Sequence, residues 1–190
     1  MHIVTVFHSG YGHTRKLAEA FHLGLKQDER VTAALVEIDE NGDITDGQWA
    51  LLDEADAIIF GSPTYMGMAS WQFKKFADAS SKRWSEDKWR NKVAGGFTNS
   101  ASMNGDKHST LHYFFTLASQ HGMLWANMGM KTANSKDAQR DDINYVGAFV
   151  GLMAQSPADA DSSEAPGKGD LATAGEYAKR VIEVTAQWCS

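Results

Sequence analysis

The run Ile3-Val4-Thr5-Val6-Phe7 breaks at His8-Ser9-Gly10-Tyr11-Gly12-His13-Thr14 into a helical pattern, and this junction constrains the chain more than any other feature. Apolar β-branched and aromatic residues bounded by a glycine-rich turn predict a buried strand. Leu17, Ala18, Phe21 and Leu25 then recur at helical spacing. A strand that turns directly into a helix leaves the first backbone N–H groups of that helix without partners. With the positive end of the helix dipole behind them, those groups form an anion site. Gly10 and Gly12 let the backbone approach the anion, and the hydroxyls of Ser9, Tyr11 and Thr14 add donors. The junction predicts a phosphate cradle; the plainer alternative is a tight turn with an N-cap.

The same rhythm continues along the chain. Residues 31–38, 56–61, 92–98 and 123–128 read as four more strands. The segment 56–61 is apolar almost throughout, as a strand covered on both faces is. Leu111, Phe114, Phe115 and Ala118 mark one helix face, and Leu171, Ala174, Ala178, Val181 and Ile182 another. Strands alternating with helices predict an α/β fold, a doubly wound five-stranded parallel sheet in one domain over 1–190. Residues 129–169 do not fit: 136–142 is charged, 145–153 is apolar, and 156–170 is small and acidic. So long a segment without an element reads either as a flexible insertion or as a loop ordered by a ligand or a second subunit, and the apolar 145–153 favours the second.

Bulk properties narrow the function classes. A net charge of −6 gives no reason to expect nucleic acid or an anionic membrane as partner. Cys189 is the only cysteine, so no disulfide framework and no cysteine-based metal site is expected within one chain. No apolar run approaches the roughly 20 residues of a membrane span. The first strand leaves no room for a signal peptide, and a cytoplasmic location is expected.

Three phosphate ligands compete for the first loop. A triphosphate loop needs a lysine before its Ser or Thr, and none precedes Thr14. A dinucleotide fingerprint needs a third glycine where Arg15 stands, although Asp39 lies where a ribose-binding acid belongs. A single terminal phosphate suits a small, hydroxyl-rich loop best. Two more loops fall on the same sheet edge, Gly61-Ser62-Pro63-Thr64-Tyr65-Met66-Gly67 and Thr98-Asn99-Ser100-Ala101-Ser102-Met103-Asn104-Gly105. Together the three loops make a site for a phosphate, a polyol chain and a planar ring.

These loops resemble those of the flavodoxin-like NAD(P)H:quinone oxidoreductases (the WrbA-like group) and, more broadly, of the NADPH-dependent FMN reductase superfamily. Ser9-Gly10-Tyr11-Gly12-His13 resembles the phosphate loop, Ile59-Phe60-Gly61-Ser62-Pro63-Thr64 with Gly67 the second flavin loop, 97–105 the third, and His121-Gly122-Met123 the motif before the fifth strand. The likeness covers residues 1 to about 130. It implies strand order 2-1-3-4-5 and an FMN site. Ser9, Gly10, Tyr11, Gly12, His13 and Thr14 would hold the phosphate, and Pro63, Thr64, Tyr65, Met66 and Gly67 would flank the ring. Thr98, Asn99, Ser100, Ala101, Ser102, Asn104 and Gly105 would meet its pyrimidine edge and ribityl chain, and Gln120 and His121 would stand near the flavin. Tyr11 and Trp84 would border the substrate, with Trp89 close enough to take that role.

The resemblance also implies NAD(P)H as co-substrate, a small quinone or similar acceptor, and a homodimer or homotetramer with sites completed across subunits. The flavin carries the chemistry, so no protein catalytic residue is implied. Two departures stand out. Tyr65 occupies the place of a usual arginine, and Gln120 that of the first of two histidines; Gln120 does not titrate near neutrality. His8, His22, His108 and His112 read as packing or surface residues, no metal is expected, and the acidic 159–164 reads as a solvated loop. The expected function is an FMN-dependent oxidoreductase. The rivals are a flavodoxin-type one-electron carrier and a flavin-free binding module.

Overall fold

The computed structural model describes residues 1–189. The elements follow in the order β1 (His2–Phe7), α1 (His13–Leu25), β2 (Thr32–Glu37), α2 (Asp46–Glu54), β3 (Ala57–Tyr65), β4 (Met68–Ala69), α3 (Trp71–Ala79), α4 (Ser81–Ser85), β5 (Val93–Ser100), α5 (Lys107–Gln120), β6 (Leu124–Trp125), β7 (Leu152–Gln155) and α6 (Lys168–Trp188). The sheet runs β2-β1-β3-β5-β6, with parallel pairing throughout that path. Because β4 is a short antiparallel hairpin partner of β3, β5 and β6 occupy the places of the expected fourth and fifth strands. This is the flavodoxin-like α/β sheet that the resemblance implies.

Period-two alternation divides the central strands between two apolar layers. Ile3, Phe7, Ala57, Ile59 and Phe97 face α1 and α6, where they meet Leu17, Phe21, Tyr177 and Val181. Val4, Val6, Ile58 and Phe60 face the other way, against Trp49, Phe73, Phe76 and Phe114 from α2, α3 and α5. Both faces of β1 and β3 are thus buried, and each such side chain contributes about 1.5–3 kcal/mol. The helix α2 carries no clear apolar period, but its start is written in Thr45-Asp46-Gly47-Gln48. Thr45 Oγ1 accepts from the Gln48 N–H, and Gln48 Oε1 accepts from the Thr45 N–H, a capping box.

The fifth strand position is filled in two pieces. β6 pairs with Val93 and Ala94, and the Ala126 N–H still donates to the Ala94 carbonyl. The chain then leaves the sheet and returns as β7, with Leu152 opposite Phe97. Gly96 lies across the gap, and its N–H donates to the Tyr177 hydroxyl, which donates in turn to the Ala126 carbonyl. A side chain on α6 therefore closes the ladder where backbone is missing.

This corrects the expectation for part of 129–169, since 152–155 form a strand within the chain. Leu152 and Ala154 are core residues and not a surface awaiting a partner, although Phe149 beside them is exposed. The excursion is tied down from α6. Arg140 holds the buried Asp170 through two bonds of 2.8 and 2.6 Å, and the Asn144 N–H donates to Thr173 Oγ1. A four-residue strand is too short to show a period, so only its pairing with β5 reveals it.

Candidate functional site

The carboxyl ends of β1, β3 and β5 converge on a cavity of about 620 Å³, within the range of small-molecule sites. It is lined by Tyr11, His13 and Thr14 from the first loop, Pro63, Thr64 and Tyr65 from the second, and Asn99, Ser100 and Ala101 from the third. The remaining wall is Ser156-Pro157-Ala158-Asp159-Ala160-Asp161, which follows β7. Ligand sites at the carboxyl edge of a doubly wound sheet are the rule for this topology.

The first loop is built to receive an anion. Gly12 precedes α1 with φ +87°, a left-handed conformation that glycine adopts without strain. Among the described residues, no protein acceptor takes the N–H groups of Gly10, Tyr11, Gly12, His13 or Thr14. Ser9 Oγ accepts from the Arg15 N–H at 3.1 Å, which shapes the turn. Arg15 itself is turned away, in a two-pronged pair with Glu37 that raises its pKa. It does not reach the cradle, and no glycine stands there to admit a pyrophosphate.

The second and third loops supply a ring and a polar floor. The Tyr65 ring stands edge-on to Tyr11, with centroids 6.1 Å apart, and its hydroxyl lies against Gly10, where any β-carbon would strike it. Tyr11 is 78% exposed at the rim. The Thr64 hydroxyl bonds to those of Thr98 and Thr110 at 2.8 Å each. These hydroxyls lock β3, β5 and α5 together, so the fully buried Thr98 braces the floor without lining the cavity. Asn99 Oδ1 accepts from Ser156 Oγ, and the Ala101 carbonyl accepts from Gln155, so β7 fixes the third loop.

Not every expected residue joins this site. Met66 (φ +48°) and Gly67 (φ +79°) form the two-residue tip of the β3–β4 hairpin, and Met66 is wholly exposed. Ser102, Asn104 and Gly105 lie in the loop behind Ser100, off the cavity wall. Trp84, Gln120 and His121 line a different cleft of about 310 Å³, beside Lys74, Asp78 and Tyr113. The resemblance implies a place near the ring or the substrate for them; within this chain the direction of α5 carries Gln120 and His121 into this other cleft, and Trp84 on α4 joins them there. His121 is a packing residue, with its ring 4.4 Å from that of Trp89 and Nε2 on Ser80 Oγ at 2.9 Å. Trp89 is fully buried and takes no part in either pocket.

The acidic strap 156–161 is the part of the wall that sequence reading does not anticipate. Small and acidic residues carry no period and read as solvent-facing. The contacts that place them are long-range: His13 Nε2 meets the Ala160 carbonyl at 3.0 Å, and Lys16 Nζ donates to the Ser163 carbonyl at 2.9 Å. His8 points elsewhere, with Nδ1 on the Ser70 hydroxyl, and burial lowers its pKa.

Known proteins share this architecture. A crystal structure of a WrbA-like flavodoxin from Agrobacterium tumefaciens superposes with a TM-score of 0.78 at 49% identity, covering 98% of both chains. Flavodoxin FldP of Pseudomonas aeruginosa is 51% identical over 184 residues, 97% of this chain and 96% of that protein. An NAD(P)H dehydrogenase (quinone) of Geobacter sulfurreducens is 29% identical over 205 residues, 98% of each. The NADPH-dependent FMN reductase family model matches residues 4–135, which hold all three loops of the cavity. With the doubly wound sheet, the unspent N–H groups at the start of α1 and this match in agreement, the chain belongs to the NADPH-dependent FMN reductase family.

Proposed function

We propose that this protein is an FMN-dependent oxidoreductase that takes reducing equivalents from NAD(P)H and passes them to a quinone or similar small acceptor. The carrying observation is the cavity itself. One end offers the unpartnered N–H groups of Gly10 to Thr14 to a phosphate, and the other offers Tyr65 and the third loop to a planar ring. The glycines at 10 and 12 also let the loop pack closely, because a β-carbon at either would meet Tyr65 or Ser162. FMN supplies the two-electron chemistry when bound. The chain binds and orients it: Thr14 and the loop backbone hold the phosphate, Pro63, Thr64 and Tyr65 flank the ring, and Asn99, Ser100 and Ala101 border its polar edge. The exposed Tyr11 leaves the rim open to a second planar molecule.

The family match and the quinone dehydrogenase relatives support an enzyme. A second reading, a one-electron carrier that docks to partner proteins, is favoured by the flavodoxin relative and by the tyrosine at position 65. Anaerobic NADPH with excess benzoquinone separates the two. Many turnovers per flavin are expected of the enzyme, and none beyond the first of a carrier. Protein that stays colourless and takes up no added FMN would remove both readings. Assembly into a dimer or tetramer belongs to the same proposal: Trp84 and Gln120 line another cleft of their own chain, so a role for them at the flavin requires a neighbouring subunit. Light scattering that gives a monomer with full activity would strike that part out.

A further inference from the structure

Lys107 opens α5, and its side chain is fully buried. Its ammonium donates to Ser100 Oγ at 2.9 Å and to the Ser102 carbonyl at 2.7 Å. An ammonium has three donors, and these two bonds leave one unspent. No carboxylate among the described residues stands within ion-pair distance of it. Asp170, whose charge acts on it, is already taken by Arg140 and by the Gln155 N–H. Burial pushes the Lys107 pKa down to about 8, which leaves it charged at neutral pH. A buried ion without a counter-ion is costly. A loop-holding role alone needs only a neutral donor.

The surroundings show what such a charge faces. Ser100 lines the cavity, so the ammonium sits one residue behind the cavity wall, on a hydroxyl that itself donates to the Ser102 carbonyl. That wall holds two carboxylates, Asp159 and Asp161, and neither lysine nor arginine. The nearby cations are otherwise engaged, Arg15 with Glu37 and Lys16 with the Ser163 carbonyl. Gly105 (φ +55°) closes the loop over this contact, and any β-carbon there would strike Ser100 Oγ. Strand order fixes which end of the ligand is concerned. Ser100 ends β5, two strand spacings from the cradle at the end of β1, about 10 Å at ~4.8 Å per strand. The charge therefore stands at the ring end and not at the phosphate.

We propose that Lys107 is a positioning residue that biases the site toward reduced FMN: its buried ammonium, acting through Ser100, favours the anionic two-electron-reduced ring over the neutral oxidised one. Two electrons and one proton convert the neutral ring to a monoanion, so the added negative charge appears where the counter-ion is missing. The inference rests on the FMN reading above and assigns a cation to a ring whose second loop carries Tyr65 and no arginine.

The test measures binding in both redox states. Fluorescence titration of the apoprotein gives Kd for oxidised FMN, and dithionite titration of the holoprotein gives the midpoint potential, from which Kd for reduced FMN follows. In Lys107→Met the preference for reduced over oxidised FMN falls about tenfold, which corresponds to a midpoint about 30 mV lower for a two-electron couple. Lys107→Arg, which keeps the charge, keeps the wild-type ratio. Should Lys107→Met not fold, Lys107→Gln carries the same test with a donor in place. An unchanged ratio, or equal weakening of both redox states, makes Lys107 a scaffold of the loop and overturns the inference. Wild-type protein that binds no FMN overturns the FMN reading first, and this one with it.

Discussion

At the scale of single residues, the first loop is specified locally. Ser9, Gly10, Gly12 and Thr14 need only their neighbours to shape the turn, because a helix start and a glycine at φ +87° are short-range matters. Gly12 also lies against Ser162, the residue after the strap, 2.9 Å from where a β-carbon would stand. Gly12→Ala is therefore expected to cost about 1–2 kcal/mol from the left-handed backbone alone. It is also expected to weaken FMN binding, since the N–H groups move with the turn. Urea denaturation and an FMN titration of the same variant check both effects. A stability loss with unchanged FMN affinity would mean that the cradle does not hold the phosphate.

At the scale of elements, the sheet depends on one hydroxyl. Tyr177 is fully buried and bridges the Gly96 N–H and the Ala126 carbonyl at 3.2 and 2.7 Å, across the break between β6 and β7. Removing it leaves two buried backbone groups unpaired, each costly. Tyr177→Phe keeps the ring packing against Phe21 and is expected to destabilise the fold by about 1–3 kcal/mol. Thermal or chemical denaturation measures the loss. Faster amide exchange at Gly96 than elsewhere in β5 would locate it. A value within 0.5 kcal/mol of wild type would mean that water replaces the hydroxyl.

At the scale of the whole molecule, burial sets how the protein responds to acid. His121 lies under Trp89, and burial pushes its pKa down to about 4. In the unfolded chain it titrates near 6.5. The unfolded state therefore binds the proton first, and stability falls as pH drops from about 6.5 toward 4, then levels with respect to this group. The loss is on the order of 3 kcal/mol. Burial lowers the pKa of His8 and His22 in the same sense. Denaturation midpoints between pH 7.5 and 4.5 are expected to show the decline, and His121→Gln to remove its largest part. A decline that survives this substitution intact would assign it to other groups.

The chain's own sequence determined what depends on neighbours in the chain and on strong apolar periods. It specified five strands, the helices α1, α5 and α6, the glycine loop, and the doubly wound order through the resemblance of its loops. Tertiary structure alone decided the rest. The pairing of Leu152–Gln155 with β5 turned an irregular stretch into part of the sheet. Contacts from His13 and Lys16 brought an acidic strap onto the cavity. The course of α5 carried Gln120 and His121 into another cleft, and the loop before it buried Lys107 behind Ser100. All but the last of these rest on residues far apart in sequence or on the direction in which a helix runs, and the last rests on how one loop closes on itself. None leaves a local period or spacing, because such contacts gain their free energy only once the sheet has formed and water has been excluded.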